Sequence, residues 1–261
     1  MKFLKKSLGQ NFLTDKNIVR KILNLTNLEN KNVIEIGPGK GSLTDEILKR
    51  NPSSVILLEK DKNLYKFLKK KYLSNNTIKI INVDVLKFDF EIFKKKYILL
   101  GNLPYNISSQ ILIKILKSKK IRKFEDVIFM FQKELGEKII SQFPSSHYGR
   151  LSIITSLKLY LVQKFLVRPS CFFPRPKVQS TLLKFTPKND YFIFDNPKNL
   201  EKITRIFFAH RRKIIKKPFN QLFFKNENIL NNLNIELNLR PQNLDFDTYY
   251  QLTKEYETLR D

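Results

Sequence analysis

A short polar stretch after an apolar run carries residue types suited to chemistry on an amino group. The run at 97–100 ends in Gly101 and continues as Asn102-Leu103-Pro104-Tyr105. An amide oxygen and a backbone carbonyl can each accept a hydrogen bond from a planar amine, and the proline restrains the backbone between them and the tyrosine. The tyrosine ring offers a face on which a flat base can stack. A simple strand-ending turn would also use glycine and proline.

A glycine-rich turn is the second informative feature. The chain has 7 glycines, whereas average usage would supply roughly 18. Gly37, Gly39 and Gly41 nevertheless follow one another closely after the apolar run at 32–36. Such a turn lets the backbone approach a ligand. Its spacing departs from G-x-G-x-x-G, and with Glu35 before it the turn resembles the first motif of S-adenosylmethionine (SAM)-dependent methyltransferases.

Two carboxylates follow the next two strand-like runs. Glu59 could accept hydrogen bonds from ribose hydroxyls, and Asp84 could accept one from an adenine amine. Each alone could be an ordinary polar strand end. Because the carboxyl ends of parallel strands meet at one edge of a sheet, the glycine turn, the two acids and Asn102 together predict a cofactor site at that edge.

The elements that must position these residues alternate along the chain. We predict strands at 32–36, 54–59, 78–83, 97–100, 126–131, 159–168 and 179–185, and helices at 14–25, 42–50, 61–73, 107–117 and 133–142. Asp15 is the expected N-cap of the first helix. This alternation predicts an α/β fold with a mostly parallel sheet covered by helices.

A change of composition at 186–197, which contains two prolines and no clear period, marks a predicted domain boundary. Residues 1–187 form the predicted catalytic domain and residues 188–261 a small helical domain. The first helix of the second domain is expected to have Asp195 or Asn196 as its N-cap, with Pro197 in its first turn.

The net charge of +25, from 49 Lys and Arg against 24 Asp and Glu, predicts a polyanionic partner, first of all nucleic acid. The alternative explanation for the many lysines is a biased base composition of the gene, but such a bias should also enrich glutamate. A single cysteine, Cys171, excludes an intramolecular disulfide, and with only His147 and His210 beside it we expect no metal cluster. Since no secretory signal or membrane span is recognisable, we expect a soluble, cytoplasmic protein without membrane contact.

Six motifs together resemble the bacterial small-subunit rRNA adenine dimethyltransferases. They are LGQNFL (8–13), VIEIGPGKGSLT (33–44), LLEKD (57–61), GNLPYNIS (101–108), YGRLS (148–152) and FFPRPKVQS (172–180). The resemblance covers residues 4 to about 217. It implies a class I, Rossmann-like methyltransferase domain, whose mostly parallel seven-stranded sheet has one antiparallel strand, followed by a small all-helical domain.

The resemblance also implies an activity. Enzymes of this family use SAM, release S-adenosylhomocysteine, and place two methyl groups on the N6 amines of each of two adjacent adenosines. Those adenosines lie in the 3′-terminal hairpin of 16S rRNA, so the partner would be an assembly intermediate of the small ribosomal subunit. No metal is implied, and a monomer is the default expectation.

Site residues carry over by position. The resemblance implies cofactor contacts at Asn11, Leu13, Gly37, Gly39, Glu59, Asp84 and Asn102. It implies catalytic roles for Asn102, Leu103, Pro104 and Tyr105, with Phe172 as a second ring over the target base.

Candidate RNA contacts are basic residues in or near these motifs. They are Lys5, Lys6, Arg150, Lys177, Arg205, Arg212, Lys213 and Lys216. For the last four we predict one helix that runs through the basic segment 209–217, with Lys202 on the same side and Leu200, Ile203, Phe207 and Ile214 opposite. Exposed solubilising charge is the alternative. The family usually carries an Asn soon after R-R-K, where this chain has Lys216-Lys217-Pro218.

Three other functions share some of these sequence features. A macrolide-resistance methyltransferase acting on 23S rRNA shares most of these motifs, although the Leu in NLPYNIS and the LGQNFL opening favour the small-subunit branch. A nicotinamide-dependent oxidoreductase is disfavoured by the glycine spacing and the basic charge. A non-catalytic rRNA-binding assembly factor could keep the fold and pocket, but the presence of Asp84, Asn102 and Tyr105 together argues for activity.

Overall fold

The computed structural model describes residues 11–260. The candidate RNA contacts Lys5 and Lys6 lie outside this range. The chain divides into two compact units, one comprising the residues up to Gly136 together with Tyr160–Asn189, the other comprising Glu137–Leu159 and the residues from Asp190 onward.

The first unit is built on a seven-stranded sheet and also contains a two-stranded ribbon of β1 and β8. In chain order the strands are β1 (Phe12–Leu13), β2 (Asn32–Ile36), β3 (Ser54–Glu59), β4 (Ile78–Asn82), β5 (Tyr97–Asn102), β6 (Phe124–Gln132), β7 (Leu159–Val167), β8 (Phe172–Phe173) and β9 (Ser180–Pro187). The large sheet has the order β4-β3-β2-β5-β6-β9-β7. Its β2–β3, β2–β5, β3–β4 and β5–β6 pairs are parallel, whereas β9 runs antiparallel to β6. The predicted fold class is confirmed.

The helices up to residue 142 agree with the sequence pattern, whereas the helix at 150–158 is not predicted by it. They are α1 (Lys16–Leu23), α2 (Ser42–Leu48), α3 (Lys62–Lys71), α4 (Ser108–Lys117), α5 (Lys133–Ile140), α6 (Arg150–Lys158), α7 (Lys198–Phe208), α8 (Lys216–Phe223), α9 (Glu227–Asn232) and α10 (Phe246–Thr258). Asp15 caps α1 by accepting from the N–H groups of Asn17 and Ile18. Asp61 caps α3 in the same way. These caps fix where each helix starts at the sheet edge.

A two-stranded ribbon that the sequence pattern does not predict joins two of the motifs. Phe12 pairs with Phe173 and Leu13 with Phe172, in antiparallel register. The carbonyl of Cys171 then accepts from the N–H groups of Thr14 and Asp15 at 2.9 and 3.3 Å. Each strand has only two residues, which is too short for an alternating pattern. The ribbon connects the LGQNFL segment to the FFPRPKVQS segment.

The second unit is helical, as predicted for the C-terminal part of the chain. The buried carboxylate of Glu257 on α10 accepts from the N–H groups of Asp195 and Asn196 and from the Asn199 side chain, at 3.0 to 3.1 Å. Helix α7 begins at Lys198 with Pro197 as its N-cap, so its start is one or two residues later than predicted. These bonds join the start of α7 to α10.

The passage of the chain into the second unit at Asn189 lies close to the predicted boundary at 187/188. The second unit, however, also contains Glu137–Leu159, which the sequence boundary places in the first domain. Within this segment α6 is tied to α10, since Tyr250 donates to the carbonyl of Ile153 at 2.9 Å. Local composition cannot reveal such an excursion, because it depends on contacts between distant parts of the chain.

None of the helices in residues 11–260 is both long enough and apolar enough to cross a lipid bilayer.

Asp126 on β6 is the centre of a largely buried polar cluster. It accepts from the hydroxyls of Thr26 and Thr186 at 2.6 and 3.0 Å, and Lys184 on β9 lies 3.0 Å from it. We expect Asp126→Asn to lower the free energy of unfolding by about 2 kcal/mol, because Lys184 loses its buried counter-ion. Urea denaturation measures this change.

Glu125→Gln is the matched control on the same strand. Glu125 pairs with Lys31 at 2.7 Å, but both side chains are more exposed, so its loss should cost less than about 1 kcal/mol. Equal effects of the two substitutions would contradict a stabilising role for the buried cluster.

Candidate active site

A cavity opens at the carboxyl edge of the first unit's sheet, where the sequence predicts a cofactor site. Its volume is about 180 Å³. All seven predicted cofactor contacts line it, and so do two more of the predicted catalytic residues: Asn11, Leu13, Gly37, Gly39, Glu59, Asp84, Asn102, Leu103 and Pro104. The walls between them are apolar and include Val85, Ile107 and Ile111.

The glycine turn, residues 37–41, forms one side of the cavity. Gly37, Gly39 and Gly41 all have positive φ, at 67°, 60° and 82°, a conformation that other residues adopt at a cost. A Cβ on Gly39 would lie 2.8 Å from two ring atoms of Phe12. Glycine is therefore required at this position both by the backbone and by the aromatic ring of β1.

Glu59 ends β3 beneath the glycine turn. Its carboxylate accepts from the N–H of Asp61 at 2.8 Å and from the N–H of Gly39 at 3.3 Å. Burial raises the pKa of Glu59, while these two backbone bonds oppose the shift. An ionised carboxylate has about four acceptor positions, so Glu59 can hold the turn and still accept from a ligand hydroxyl.

Asp84 follows β4 at the same edge of the sheet. Its carboxylate lies 2.8 Å from Lys60 Nζ and accepts from the N–H of Leu86 at 3.0 Å. The bond from Lys60 lowers the pKa of Asp84 most strongly. Asp84 is therefore an ionised acceptor on the cavity wall at neutral pH.

Glu35 is a buried acid under the glycine turn that the sequence singled out only as part of the motif. The Thr44 hydroxyl donates to it at 2.6 Å. Burial raises the pKa of Glu35 to about 8, although the Thr44 bond opposes the shift. At neutral pH the folded protein thus holds Glu35 mainly as the neutral acid.

Asn102 has its amide group oriented by the N-terminal segment. Its Nδ2 donates to the backbone carbonyl of Asn11 at 2.7 Å. Since a carbonyl only accepts, the amide nitrogen must face Asn11, and Oδ1 is left as an acceptor. The side chain lines the cavity beside Leu103 and Pro104. This arrangement supplies a hydrogen-bond acceptor at the mouth of the predicted cofactor site.

Tyr105 does not line the cavity, although it directly follows the lining residue Pro104 in the sequence. Its hydroxyl hydrogen-bonds to Ser180 Oγ, and Ser180 is fully buried at the start of β9. Ser180 is the last residue of FFPRPKVQS and had no predicted role. The bond fixes the position of the Tyr105 ring and joins the NLPY motif to that segment.

Phe172, the predicted second stacking ring, is only 3% exposed and packs in the core of the first unit. Its stacking role stays a prediction, because a buried ring must move before a base can lie on it. The neighbouring Phe173 is 45% exposed and is the more accessible ring of β8. The sequence could not separate the two, since both belong to the same motif.

The prediction of one continuous helix through the basic C-terminal segment is wrong. Helix α7 ends at Phe208 and α8 begins at Lys216, so Arg212 and Lys213 lie in the connection between them. Ile214, predicted to be on the buried side, is 47% exposed. The spacing of the four apolar residues fits one helix, but α7 ends before the last of them and Ile214 is left exposed to solvent.

The basic residues themselves are exposed. Arg150, Arg205, Arg212, Lys213 and Lys216 belong to the second unit, and Lys177 to the first; all six are exposed. Arg150, on α6, lies in the electrostatic field of Glu201 and Arg205 on α7. Although Arg150 is exposed as a whole residue, partial burial of its guanidinium group lowers its pKa, Glu201 opposes this shift and the like charge of Arg205 adds to it. Two predicted RNA contacts distant in sequence thus interact electrostatically.

The raised pKa of Glu35 predicts a pH-dependent stability. In the unfolded chain Glu35 releases its proton near pH 4.5, while in the folded protein it keeps the proton until about pH 8. The free energy of unfolding should therefore fall as pH rises through this window. Relative to the wild type, Glu35→Gln should gain a few kcal/mol between pH 5 and pH 8.5, because one pKa unit corresponds to about 1.4 kcal/mol.

Urea denaturation at several pH values measures the difference between Glu35→Gln and the wild type. Glu29→Gln, which removes an exposed carboxylate, is the control, and its difference from the wild type should be smaller and less dependent on pH. A difference for Glu35→Gln that stays constant across the window would contradict the neutral state of Glu35.

Comparison with known proteins adds sequence and structural relatives. The family model "Ribosomal RNA adenine dimethylase" matches residues 1–258. A protein of Pelagibacter ubique named ribosomal RNA small subunit methyltransferase A is 51% identical over 258 residues, covering 98% of both chains. A protein of the same name from Mycoplasma mobile is 39% identical and covers 94% of this chain and 95% of its own.

Two solved structures superpose on nearly the whole chain. A dimethyladenosine transferase from Plasmodium falciparum superposes with a TM-score of 0.80 at 27% identity, over 95% of this chain and 98% of its own. A 23S rRNA methyltransferase superposes with a TM-score of 0.69 at 22% identity, over 94% and 99%, which shows a shared fold. The family match extends over nearly the whole chain and agrees with the motifs that line the cavity, and this chain belongs to the ribosomal RNA adenine dimethylase family.

Proposed function

We propose that this protein dimethylates the N6 amines of two adjacent adenosines in the 3′-terminal hairpin of 16S rRNA during assembly of the small ribosomal subunit. The observation that carries the proposal is the acceptor of Asn102, held by Asn11 at the edge of the cavity. The small-subunit target is favoured by relatives with that name at 51% and 39% identity. We take a cytoplasmic monomer as its working state.

SAM is the proposed methyl donor, and the cavity residues fit it. The glycine turn leaves room for close approach of a ligand, because a Cβ on Gly37 would meet nothing nearer than 3.9 Å. Glu59 and Asp84 provide acceptors for hydroxyl and amine groups, and apolar side chains lie between them. SAM would supply an electrophilic methyl group, and the chain's own residues would orient the acceptor amine.

Asn102 and Leu103 are proposed to hold the target amine. The lone pair of adenine N6 is delocalised into the ring, so the amine is a poor nucleophile. Hydrogen bonds from N6 to Asn102 Oδ1 and to the Leu103 carbonyl favour a pyramidal nitrogen, whose lone pair is then available. Because methylation itself makes the remaining N6 proton acidic, orientation supplies most of the rate and no dedicated general base is needed.

The target base must leave its stack to reach this acceptor pair. We propose that Tyr105 provides one face for the flipped base, held in place by its bond to Ser180. An aromatic residue of β8, predicted as Phe172, would provide the other face. Pro104 restrains the backbone between the Leu103 carbonyl and the Tyr105 ring.

The second unit is proposed to contact RNA phosphates. Arg150 on α6 and Arg205 on α7 are both exposed, and each guanidinium group can donate hydrogen bonds to a phosphate. In the first unit Lys177 is an exposed candidate next to the FFPRP segment. Such contacts position the RNA without reading its sequence.

Transfer of labelled methyl from SAM tests the proposal. Small ribosomal subunits that lack N6-dimethyladenosine, large subunits and free 16S rRNA are compared, and the modified bases are mapped. Label on two neighbouring adenosines of the 3′-terminal 16S hairpin is the expected result. Label confined to 23S rRNA would assign the protein to the resistance branch, and RNA binding without label would assign it to non-catalytic assembly factors.

Asn102→Ala should lower the kcat of methyl transfer at least about 100-fold, because the target amine loses the acceptor that orients it. RNA binding should change less than about two-fold, since this contact carries none of the phosphate affinity. Single-turnover methylation and filter binding give the two values.

Asn63→Ala removes an exposed amide from α3 and is the control for Asn102→Ala. It should keep wild-type turnover. Comparable turnover in Asn102→Ala would remove the assigned role.

A further inference from the structure

The end of α3 holds the glycine turn from the side away from the cavity. The Tyr72 hydroxyl lies 2.7 Å from Asp45 Oδ1 and 3.2 Å from the carbonyl oxygen of Gly41. Lys71 Nζ donates to Asp45 Oδ2 at 2.6 Å and to the carbonyl of Lys40 at 3.1 Å. Two consecutive side chains thus bind two consecutive carbonyls of the turn and one carboxylate of α2.

The closeness of this contact explains why the third position of the turn is glycine. Gly41 has φ of 82°, and a Cβ there would collide with the Tyr72 hydroxyl and lie 3.1 Å from Lys71 Nζ. Gly41 does not line the cavity, whereas its neighbours Lys40 and Ser42 do. The absence of a side chain at Gly41 therefore serves the contact with α3.

We propose that Tyr72 and Lys71 are positioning residues that fix the glycine turn in the shape that binds the cofactor. Neither lines the cavity, so they act through the backbone of the turn. The inference rests on the proposed function, since it assumes that SAM binds in this cavity. It adds two residues outside the six motifs to the set that determines cofactor affinity.

The chemistry of the contact keeps it intact across the working pH range. Gly41 O and Asp45 Oδ1 are both acceptors, so the single proton of the Tyr72 hydroxyl is shared between them in a three-centre hydrogen bond whose shorter leg is to Asp45. Burial and then the bond to Asp45 raise the pKa of Tyr72, so the hydroxyl keeps its proton. Asp45 lies in the first turn of α2, where the partial positive charge at the helix N-terminus also stabilises a carboxylate.

Tyr72 also packs its ring against the core of the first unit. Tyr72→Phe is therefore the informative substitution, because it keeps the ring and removes only the hydroxyl. Losing this one hydrogen-bond donor should raise both the KM and the dissociation constant for SAM by about 3- to 10-fold. The kcat at saturating SAM and the KM for RNA should stay within about two-fold, because the target-amine acceptors are untouched.

Tyr65→Phe is the matched control. Tyr65 lies on the same helix, is partly exposed and has a Lys69 ammonium over its ring. It should leave the KM for SAM at the wild-type value. Lys71→Met removes the second donor and should raise the KM for SAM in the same direction, so the test does not depend on the folding of Tyr72→Phe alone.

The split between KM and kcat, together with calorimetric SAM binding and thermal unfolding, distinguishes the outcomes. A raised KM for SAM with preserved kcat supports the positioning role. Lowered stability or kcat with an unchanged KM in both variants would overturn it, because a merely structural role predicts that pattern. Wild-type protein that binds no SAM would instead overturn the proposed function, whereas wild-type binding that equals binding by both variants would overturn this inference alone.

Discussion

The site depends on one close approach, that of the segment Asn11–Leu13 to the carboxyl edge of the sheet. Asn11 orients the Asn102 amide through its carbonyl, Phe12 lies against the glycine turn so closely that Gly39 has no room for a Cβ, and Leu13 pairs with Phe172. A segment of three residues thereby contacts Asn102, the glycine turn and β8 at one cavity. Moving it would disturb all three contacts together.

Polar groups around the cavity are arranged so that each buried one has a defined partner. Glu59 is held by two backbone N–H groups, Glu35 by the Thr44 hydroxyl, and Asp84 by Lys60. Burial raises the pKa of the first two, and the ion pair lowers that of Asp84. Asp84 is therefore ionised at neutral pH and Glu35 is mainly neutral, which limits the negative charge next to a ligand.

The net charge of +25 is used differently by the two units. Around the cavity, several lysines satisfy local acceptors: Lys60 pairs with Asp84, and Lys71 binds Asp45 and a backbone carbonyl. In the second unit the basic side chains of Arg150, Arg205, Arg212, Lys213 and Lys216 are exposed, and they remain available to an anionic partner.

The sequence by itself determined the order of the seven strands of the large sheet and of helices α1 to α5, because the apolar runs and the cap Asp15 are local signals. It also predicted the cavity residues at the ends of β2, β3, β4 and β5, since parallel strands bring their carboxyl ends to one edge. Only the tertiary structure decided the β1–β8 ribbon, the membership of Glu137–Leu159 in the second unit, the end of α7 at Phe208, and the contact of Tyr72 with Gly41. These features depend on contacts between residues far apart in the chain, and short-range periodicity carries no information about them.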